Sequence, residues 1–401
     1  MSAGIALAQR VAQIAPSPTL AINAKAKQLK AQGVDVLNFS VGEPDFPSPP
    51  HVCAAGKQAI DQGHTRYTPS NGIPELRQAV CDRYRQRHGW EYDPEQIEIS
   101  CGGKQGLYNI FQAVINPGDE VLIPAPYWVS YPPMTQLASG VPVIVPLDEK
   151  NRFDLDVELL RQHATNKTRV VVLNSPSNPT GSVFSEKALS ELARLVQERG
   201  WLVISDDIYE EISYTKGPLA HILNVAPELK EQVILANGVS KTYAMTGWRI
   251  GWCAGPLAII RAMNKIQSQS ISNPVAISQY AALSALTGPQ DAPKEMLRAF
   301  FPRRDFFVQS LNRLPGVSCV EPEGAFYVFP NFSSYYGKSF QGKKIDGSVA
   351  LADYFLDEAR VATVPGLAFG ADAFIRFSFA TALDAIKEAM QRIEKALAAL
   401  Q

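Results

Sequence analysis

The 401 residues carry no excess of either charge: 38 lysines and arginines stand against 39 aspartates and glutamates, a formal net charge of −1. With no basic stripe and no charged tail, neither nucleic acid nor a membrane surface is expected as a partner. Cysteine is scarce. The five, Cys53, Cys81, Cys101, Cys253 and Cys319, lie far apart with no CxxC pair, which argues against a disulfide framework and suits a reducing cytoplasm. The five histidines form no HxxxH arrangement, so no metal site is expected. Long apolar runs are missing too. The opening SAGIALAQRVAQIAPSP is broken by Gln9 and Arg10, and no later stretch approaches the ~18 uncharged apolar residues of a membrane span, so neither a secretory leader nor an anchor is expected. No repeat and no low-complexity segment stands out.

What is present is ample core material. The chain is 46% apolar and 19% charged, as in well-packed globular proteins, and it exceeds the ~250–300 residues at which single cores stop growing, so two domains are expected. Short runs rich in Val and Ile recur through the middle: IEIS (97–100), EVLIP (120–124), VPVIV (141–145), RVVVLN (169–174), WLVIS (201–205) and VILAN (233–237). Being mostly apolar on both faces, they read as buried strands of a mainly parallel sheet. Between two of them, SEKALSELARLVQERG (185–200) has helical leucine spacing, a serine cap and a glycine stop. The expectation is an α/β fold, a mainly parallel sheet sandwiched by helices over residues 48–300. From about residue 300 the texture shifts to a helix (RRDFFVQSLNRL), strands (GAFYVF, FIRFSF) and a final amphipathic helix. Residues 1–47 and 301–401 are therefore expected to form a smaller, discontinuous α+β domain.

In such sheets ligands gather beyond the carboxyl ends of the strands. After IEIS come Gly102 and Gly103 and then a helix, a combination that exposes N–H groups to an anion but is also an ordinary turn. After RVVVLN comes SPSNPTG, where Asn178 either bonds its own turn or faces a ligand. After WLVIS come Asp206 and, three residues on, Tyr209; an acid there can be a mere helix cap. After VILAN comes GVSKTYAMTGWRIGWCAGP, with Lys241 and Arg249 and no carboxylate. Alone, Lys241 could be a surface lysine, a phosphate ligand or an amine bonded to a carbonyl. Together, four strand ends offer an anion cradle, an acid, hydrogen-bonding groups and an amine. Pyridoxal 5′-phosphate needs all of these: a lysine for its aldehyde, a carboxylate for its ring nitrogen, donors for its phenolic oxygen and a cradle for its phosphate.

SPSNPTG, SDDIYEE and SKTYAMTGWRIGW resemble the class I, fold type I pyridoxal-phosphate-dependent aminotransferases, and among them the aspartate aminotransferases of the bacterial and plastid subgroup, which include aspartate/prephenate aminotransferases. The likeness continues through VGEPDF, RYTPSNGIPELR, GGKQGLYN, PYWVSYP, GAFYVF and IRFSFA, nearly the whole chain. It implies that Lys241 bonds the cofactor and then shuttles the proton between substrate and cofactor, and that Asp206 partners the ring nitrogen while Asp207 faces the other side. Asn178 and Tyr209 would hold the phenolic oxygen, and Trp128 would stack on the ring. Arg249, with the backbone of Gly102, Gly103 and Lys104, would hold the phosphate. Tyr67 would be lent to a neighbouring subunit's phosphate site, implying a homodimer. Arg376 and Gly42 would bind the substrate α-carboxylate, a task that suits the planar fork of arginine.

For the distal carboxylate, QSQSISNP (267–274) lacks the arginine that other aspartate aminotransferases carry before SNP. In the bacterial and plastid subgroup a lysine in GGKQ takes that place, here Lys104, with Ser17 and Thr19 as helpers. The resemblance thus implies a ping-pong exchange of L-aspartate and 2-oxoglutarate for oxaloacetate and L-glutamate by way of pyridoxamine phosphate, on small amino and keto acids. Members of the subgroup also accept prephenate; Ala15 stands where relatives often carry lysine. Two alternatives share the fold: a β-lyase on a sulfur amino acid, and a non-catalytic regulatory module. The second lacks support in the absence of a basic helix-turn-helix ahead of the domain.

Overall fold

The computed structural model describes residues 8–16 and 18–401. Its centre is a sheet of seven strands: β1 (Ile97–Ser100), β2 (Glu120–Ala125), β3 (Val141–Pro146), β4 (Thr168–Asn174), β5 (Leu202–Asp206), β6 (Val233–Gly238) and β7 (Gly251–Ala254). The spatial order is β1-β7-β6-β5-β4-β2-β3. All pairs are parallel except those made by β7, which runs antiparallel to both β1 and β6. Strand side chains alternate faces. Leu122, Val171, Leu173, Val203 and Leu235 enter one apolar layer, and Val121, Ile123, Val170, Val172, Ile204 and Ile234 enter the other. Helices cover both layers, which is why these runs carry hydrophobic residues at successive positions. Each fully buried Val, Leu or Ile contributes roughly 1.5–3 kcal/mol, so the two layers anchor the strand ends firmly.

The helix after β4 forms as its signals direct. It spans Glu186–Arg199, the Ser185 hydroxyl accepts from the Ala188 N–H at 3.1 Å, and Gly200 closes it with φ 67°. Three elements depart from the sequence-based expectation. The antiparallel strand β7 lies inside the lysine motif, where its small residues and flanking glycines hide a strand pattern. VPVIV is not buried on both faces. As the outer strand β3 it has one neighbour, and Val141 is 46% exposed. The helix expected near 303–314 begins earlier and spans Asp291–Arg313, carrying Pro302 within it.

A second apolar cluster forms around Phe300, Phe307, Phe326, Tyr327, Phe355 and Phe377. It holds a three-stranded antiparallel sheet in which Ile375–Ser378 lies between Val364–Pro365 and Tyr327–Val328. The final helix, Leu383–Ala398, lays Ile386, Ala389 and Ile393 against it. Leu37–Asn38 pairs in parallel with Val361–Ala362, so the N-terminal segment joins this cluster. Among the described residues no helix is long and apolar enough to cross a membrane.

Candidate active site

At the carboxyl ends of β4, β5 and β6 the structure opens a cavity of about 460 Å³. Its floor is set by register: Asn174 pairs with Asp206, and Asp206 with Ala236, so these strands end at one level. Asp206 is 5% exposed. The Tyr131 hydroxyl donates to its Oδ2 at 2.7 Å, while among the described residues Oδ1 receives only a long contact from the Ile208 N–H at 3.4 Å. Burial pushes its carboxyl up from 3.8 to about 7, against the Tyr131 hydrogen bond, which lowers it. Asp207 turns away from the cavity and accepts from Ser205 Oγ at 2.7 Å.

Lys241 follows β6 on the single turn Val239–Thr242 and lines the cavity. Its Nζ donates to the Gly42 carbonyl at 2.6 Å. Burial lowers its ammonium from 10.5 to about 8; the Glu43 charge opposes that shift but does not cancel it. A group that loses its charge this readily is poised for proton transfer.

On the far side stands Arg376, from Ile375–Ser378, 3% exposed. Its Nη1 donates to Asn178 Oδ1 at 3.0 Å and its Nη2 to the Ser40 carbonyl at 2.8 Å. Nε is buried with no partner among the described residues. Desolvation lowers its pKa, so an anion brought beside it would be strongly attracted. Because a guanidinium only donates, Asn178 must offer it the amide oxygen, which leaves the NH2 group free to donate elsewhere. Tyr209 and Tyr327 share a hydrogen bond at 2.7 Å, and the Arg376 guanidinium sits 4.5 Å from the Tyr327 ring centroid. Gly42 is needed here for space, since a Cβ would come within 2.8 Å of the Tyr327 hydroxyl.

The third wall is the N-terminus of the helix Gly103–Val114. Gly102 has φ 81°, a left-handed conformation, and a Cβ there would overlap the Arg249 guanidinium. Arg249 donates to the Thr246 and Cys101 carbonyls at 3.0 and 3.3 Å and makes no ion pair among the described residues. An arginine laid against a helix N-terminus through glycine forms an anion cradle. Lys104 lies at the rim with Nζ 5.0 Å from the Trp128 ring centroid; burial, and then Arg249, lower its pKa. Trp128 in turn meets Tyr131 edge-on.

Of the residues singled out from sequence, Gly42, Gly103, Lys104, Trp128, Asn178, Asp206, Tyr209, Lys241, Arg249, Arg376 and Thr19 line this one cavity, and Gly102 backs it through Arg249. Tyr67 is not in it; 88% exposed, it stands on the outer surface. Ser17 lies outside the described residues. Sequence reasoning missed Tyr131, Asn174, Ser40 and Tyr327. Asn174 donates to the Asp206 carbonyl at 2.9 Å, and its Oδ1 accepts from the Asn178 N–H at 2.8 Å, so it fixes both neighbours. The available signal was a tyrosine or asparagine within an otherwise apolar strand or turn, where a buried polar tip must find a partner.

Residues 34–393 match the family model described as aminotransferase class I and II. The aspartate aminotransferase of Geobacillus stearothermophilus is 45% identical over 390 residues, 97% of this chain and 98% of its own. The aspartate/prephenate aminotransferase of Cereibacter sphaeroides is 46% identical over 98% of this chain and 99% of its own. Among solved structures, the aspartate aminotransferase of Rhizobium meliloti superposes with TM-score 0.95 at 41% identity, over 99% of this chain and 100% of its own. That of Thermus thermophilus, solved with maleate, superposes with TM-score 0.91 at 40% identity, over 98% and 100%.

Proposed function

The chain belongs to the class I and II aminotransferase family, and from that premise we propose that it exchanges the amino group of L-aspartate with 2-oxoglutarate, yielding oxaloacetate and L-glutamate. Aspartate aminotransferases of this fold use pyridoxal 5′-phosphate, and the residues present fit that group. An anion cradle at Gly102, Gly103 and Arg249, a buried carboxylate with one oxygen weakly engaged, and a desolvated amine share one cavity. One observation carries the reading. Asp206, Lys241 and Arg376 are charged groups around one cavity, yet none forms an ion pair with any described residue. Their counter-charges are expected from ligands.

Bound there, the cofactor supplies an aldehyde for an amine to capture and a ring that withdraws electrons. Lys241 is the amine on offer. With its pKa near 8, a useful neutral fraction exists at neutral pH to accept the proton leaving the substrate Cα, and to return one to that carbon in the keto acid being aminated. Asp206 would hold the ring nitrogen's proton, and Asn178 and Tyr209 would donate to the phenolic oxygen. Trp128 would cover the ring. Arg376 would grip the α-carboxylate, excluding substrates without one. Lys104, with Thr19 nearby, would read the distal carboxylate; the Thermus relative solved with maleate was solved with a four-carbon dicarboxylate. A second carboxylate on a larger acceptor could reach the same rim, so prephenate is proposed as a further acceptor, for which the Cereibacter relative is named.

The exposure of Tyr67 supports its loan to a second copy, and hence a homodimer. The pairing of Leu37–Asn38 with Val361–Ala362 supports a large domain of residues 48–300 and a small one of 1–47 with 301–401. Five free cysteines support a cytoplasmic setting.

A half-reaction panel tests the activity. The cofactor-loaded chain is mixed with one amino acid at a time, without keto acid, and its visible absorbance is followed. Aspartate and glutamate should bleach it, and 2-oxoglutarate, oxaloacetate or prephenate should restore it. Catalytic release of pyruvate from a sulfur amino acid with no second keto acid would overturn the reading in favour of a β-lyase.

A further inference from the structure

Behind the strand ends lies a second group of charges that the transfer chemistry leaves unused. After β5 the side chains divide. Asp206 and Tyr209 reach the cavity, while Asp207, Glu210 and Glu211 turn rearward to His221, His88, Arg83 and Arg87. Buried carboxylates are costly, and replacing such pairs by apolar residues is often neutral or stabilising, so this layer calls for a reason beyond stability.

Glu210 belongs to one of the turns that carry reacting groups and bonds the strand end that leads into the other. Its Oε2 meets His88 Nε2 at 3.2 Å, and its Oε1 accepts from Asn237 Nδ2 at 2.9 Å. Asn237 Oδ1 then accepts from the Gly238 N–H at 2.7 Å, just ahead of the turn that bears Lys241. Glu210 itself follows Tyr209 directly. A second strut runs alongside: Glu211 pairs with Arg83, which donates to the Tyr243 hydroxyl at 3.2 Å, beyond Lys241. Burial alone would raise the Glu210 carboxyl, but the hydrogen bond from His88 and the Arg83 charge outweigh it and hold the group below its ordinary range. A charged acceptor makes the stronger hydrogen bond, so the junction is stiff.

We propose that Glu210 is a positioning residue: through Asn237 it sets the span between the Lys241 turn and the Asp206–Tyr209 turn, and with it the placement of the amine against the ring. The proposal rests on the roles given above to Lys241 and Asp206.

The test compares Glu210→Ala, Glu210→Gln, Asn237→Ala and the Glu210→Ala/Asn237→Ala double variant with wild type. It reads cofactor Kd, the pH midpoint of the visible absorbance of the loaded enzyme, and kcat and KM for aspartate. Small misplacements are costly, so Glu210→Ala should lower kcat by about tenfold or more with KM changed far less. It should also weaken cofactor binding and move the absorbance midpoint. Glu210→Gln keeps an acceptor for Asn237 and should recover most of the loss. Asn237→Ala should match Glu210→Ala, and the double variant should lose no more than either, as coupled residues do. Glu98→Gln, a buried carboxylate on β1 bonded to Asn109, controls for stability alone; it should change Tm but not the midpoint.

A Glu210→Ala enzyme that changes only Tm, no rescue by glutamine, or additive losses in the double variant would overturn the proposal. If Glu210→Ala does not fold, Glu210→Gln and Asn237→Ala carry the same comparison: Asn237→Ala must then show the loss and Glu210→Gln little of it. A wild-type enzyme that does not bond cofactor at Lys241 defeats both this proposal and the functional reading. A wild-type enzyme that does, with Glu210→Ala unchanged, defeats the bridge alone.

Discussion

At the floor of the cavity Asp206, Tyr209 and Arg376 are 5%, 3% and 3% exposed and sit in or directly after strands; at its mouth Lys27, Glu43 and Lys104 are exposed and sit on helices or loop. Desolvation dominates the floor, raising Asp206 and lowering Lys241 and Arg376. At the mouth, water and salt screen Lys27 and Glu43, while Lys104 feels some desolvation. The contrast separates two tasks. Bond-making asks for groups whose ionisation is tuned and whose positions are locked by register. Choosing among substrates with distant carboxylates needs only charge at an accessible rim.

Breaking the floor should be the most damaging change. Asp206→Ala removes a preorganised charge and is expected to lower kcat by about 3 kcal/mol or more, against nearly unchanged folding. Steady-state kinetics with a circular dichroism control checks it, and a loss under about tenfold would give the ring nitrogen another partner. Next comes Arg376→Lys, which keeps the charge but loses the fork. A loss of about 1.5–3 kcal/mol in kcat/KM, shared by every amino acid tested, is expected, since each has an α-carboxylate. A loss confined to aspartate would move Arg376 from the shared carboxylate to side-chain selection.

The mouth sharpens the comparison. Lys104→Ala should reduce kcat/KM for aspartate while leaving alanine nearly as before, changing their ratio by roughly tenfold. Equal losses would take Lys104 out of side-chain recognition.

A separate effect is on stability of the cofactor-free chain. Asp206 has a folded pKa above its unfolded value, so its contribution is full below about 3.8 and is lost as pH rises through about 7. Lys241 has a folded pKa below its unfolded value, so stability is regained as pH rises from about 8 towards 10.5. These two groups place a minimum between about 7 and 8. Tm against pH should show it, Asp206→Asn should remove its acidic limb, and cofactor loading should flatten it.

Much of the floor was legible because its residues announce themselves at strand ends. Asn178, Asp206 and Lys241 each follow a run such as RVVVLN or VILAN, and Val and Ile on both faces identify such runs without reference to long-range contacts. The strand β7 was hidden because Gly251–Ala254 carries small residues and one tryptophan, and its antiparallel placement depends on partners far away in the chain. Tyr131 and Tyr327 were hidden for a related reason. A phenol in PYWVSYP or GAFYVF is a core side chain until three-dimensional proximity shows its hydroxyl meeting Asp206 or Tyr209. The rear charges were least legible. Nothing in SDDIYEE itself shows that Glu210 and Glu211 are paired, because their partners Arg83, Arg87 and His88 come from the helix Pro74–His88, more than a hundred residues earlier.

The most direct test is to reduce the cofactor-loaded protein with borohydride, digest it and locate the cofactor by mass spectrometry. The label is expected on Lys241, in the peptide containing SKTYAMTGWR, at near-stoichiometric yield. A label on Lys104, on Lys27 or on no lysine at all would contradict it.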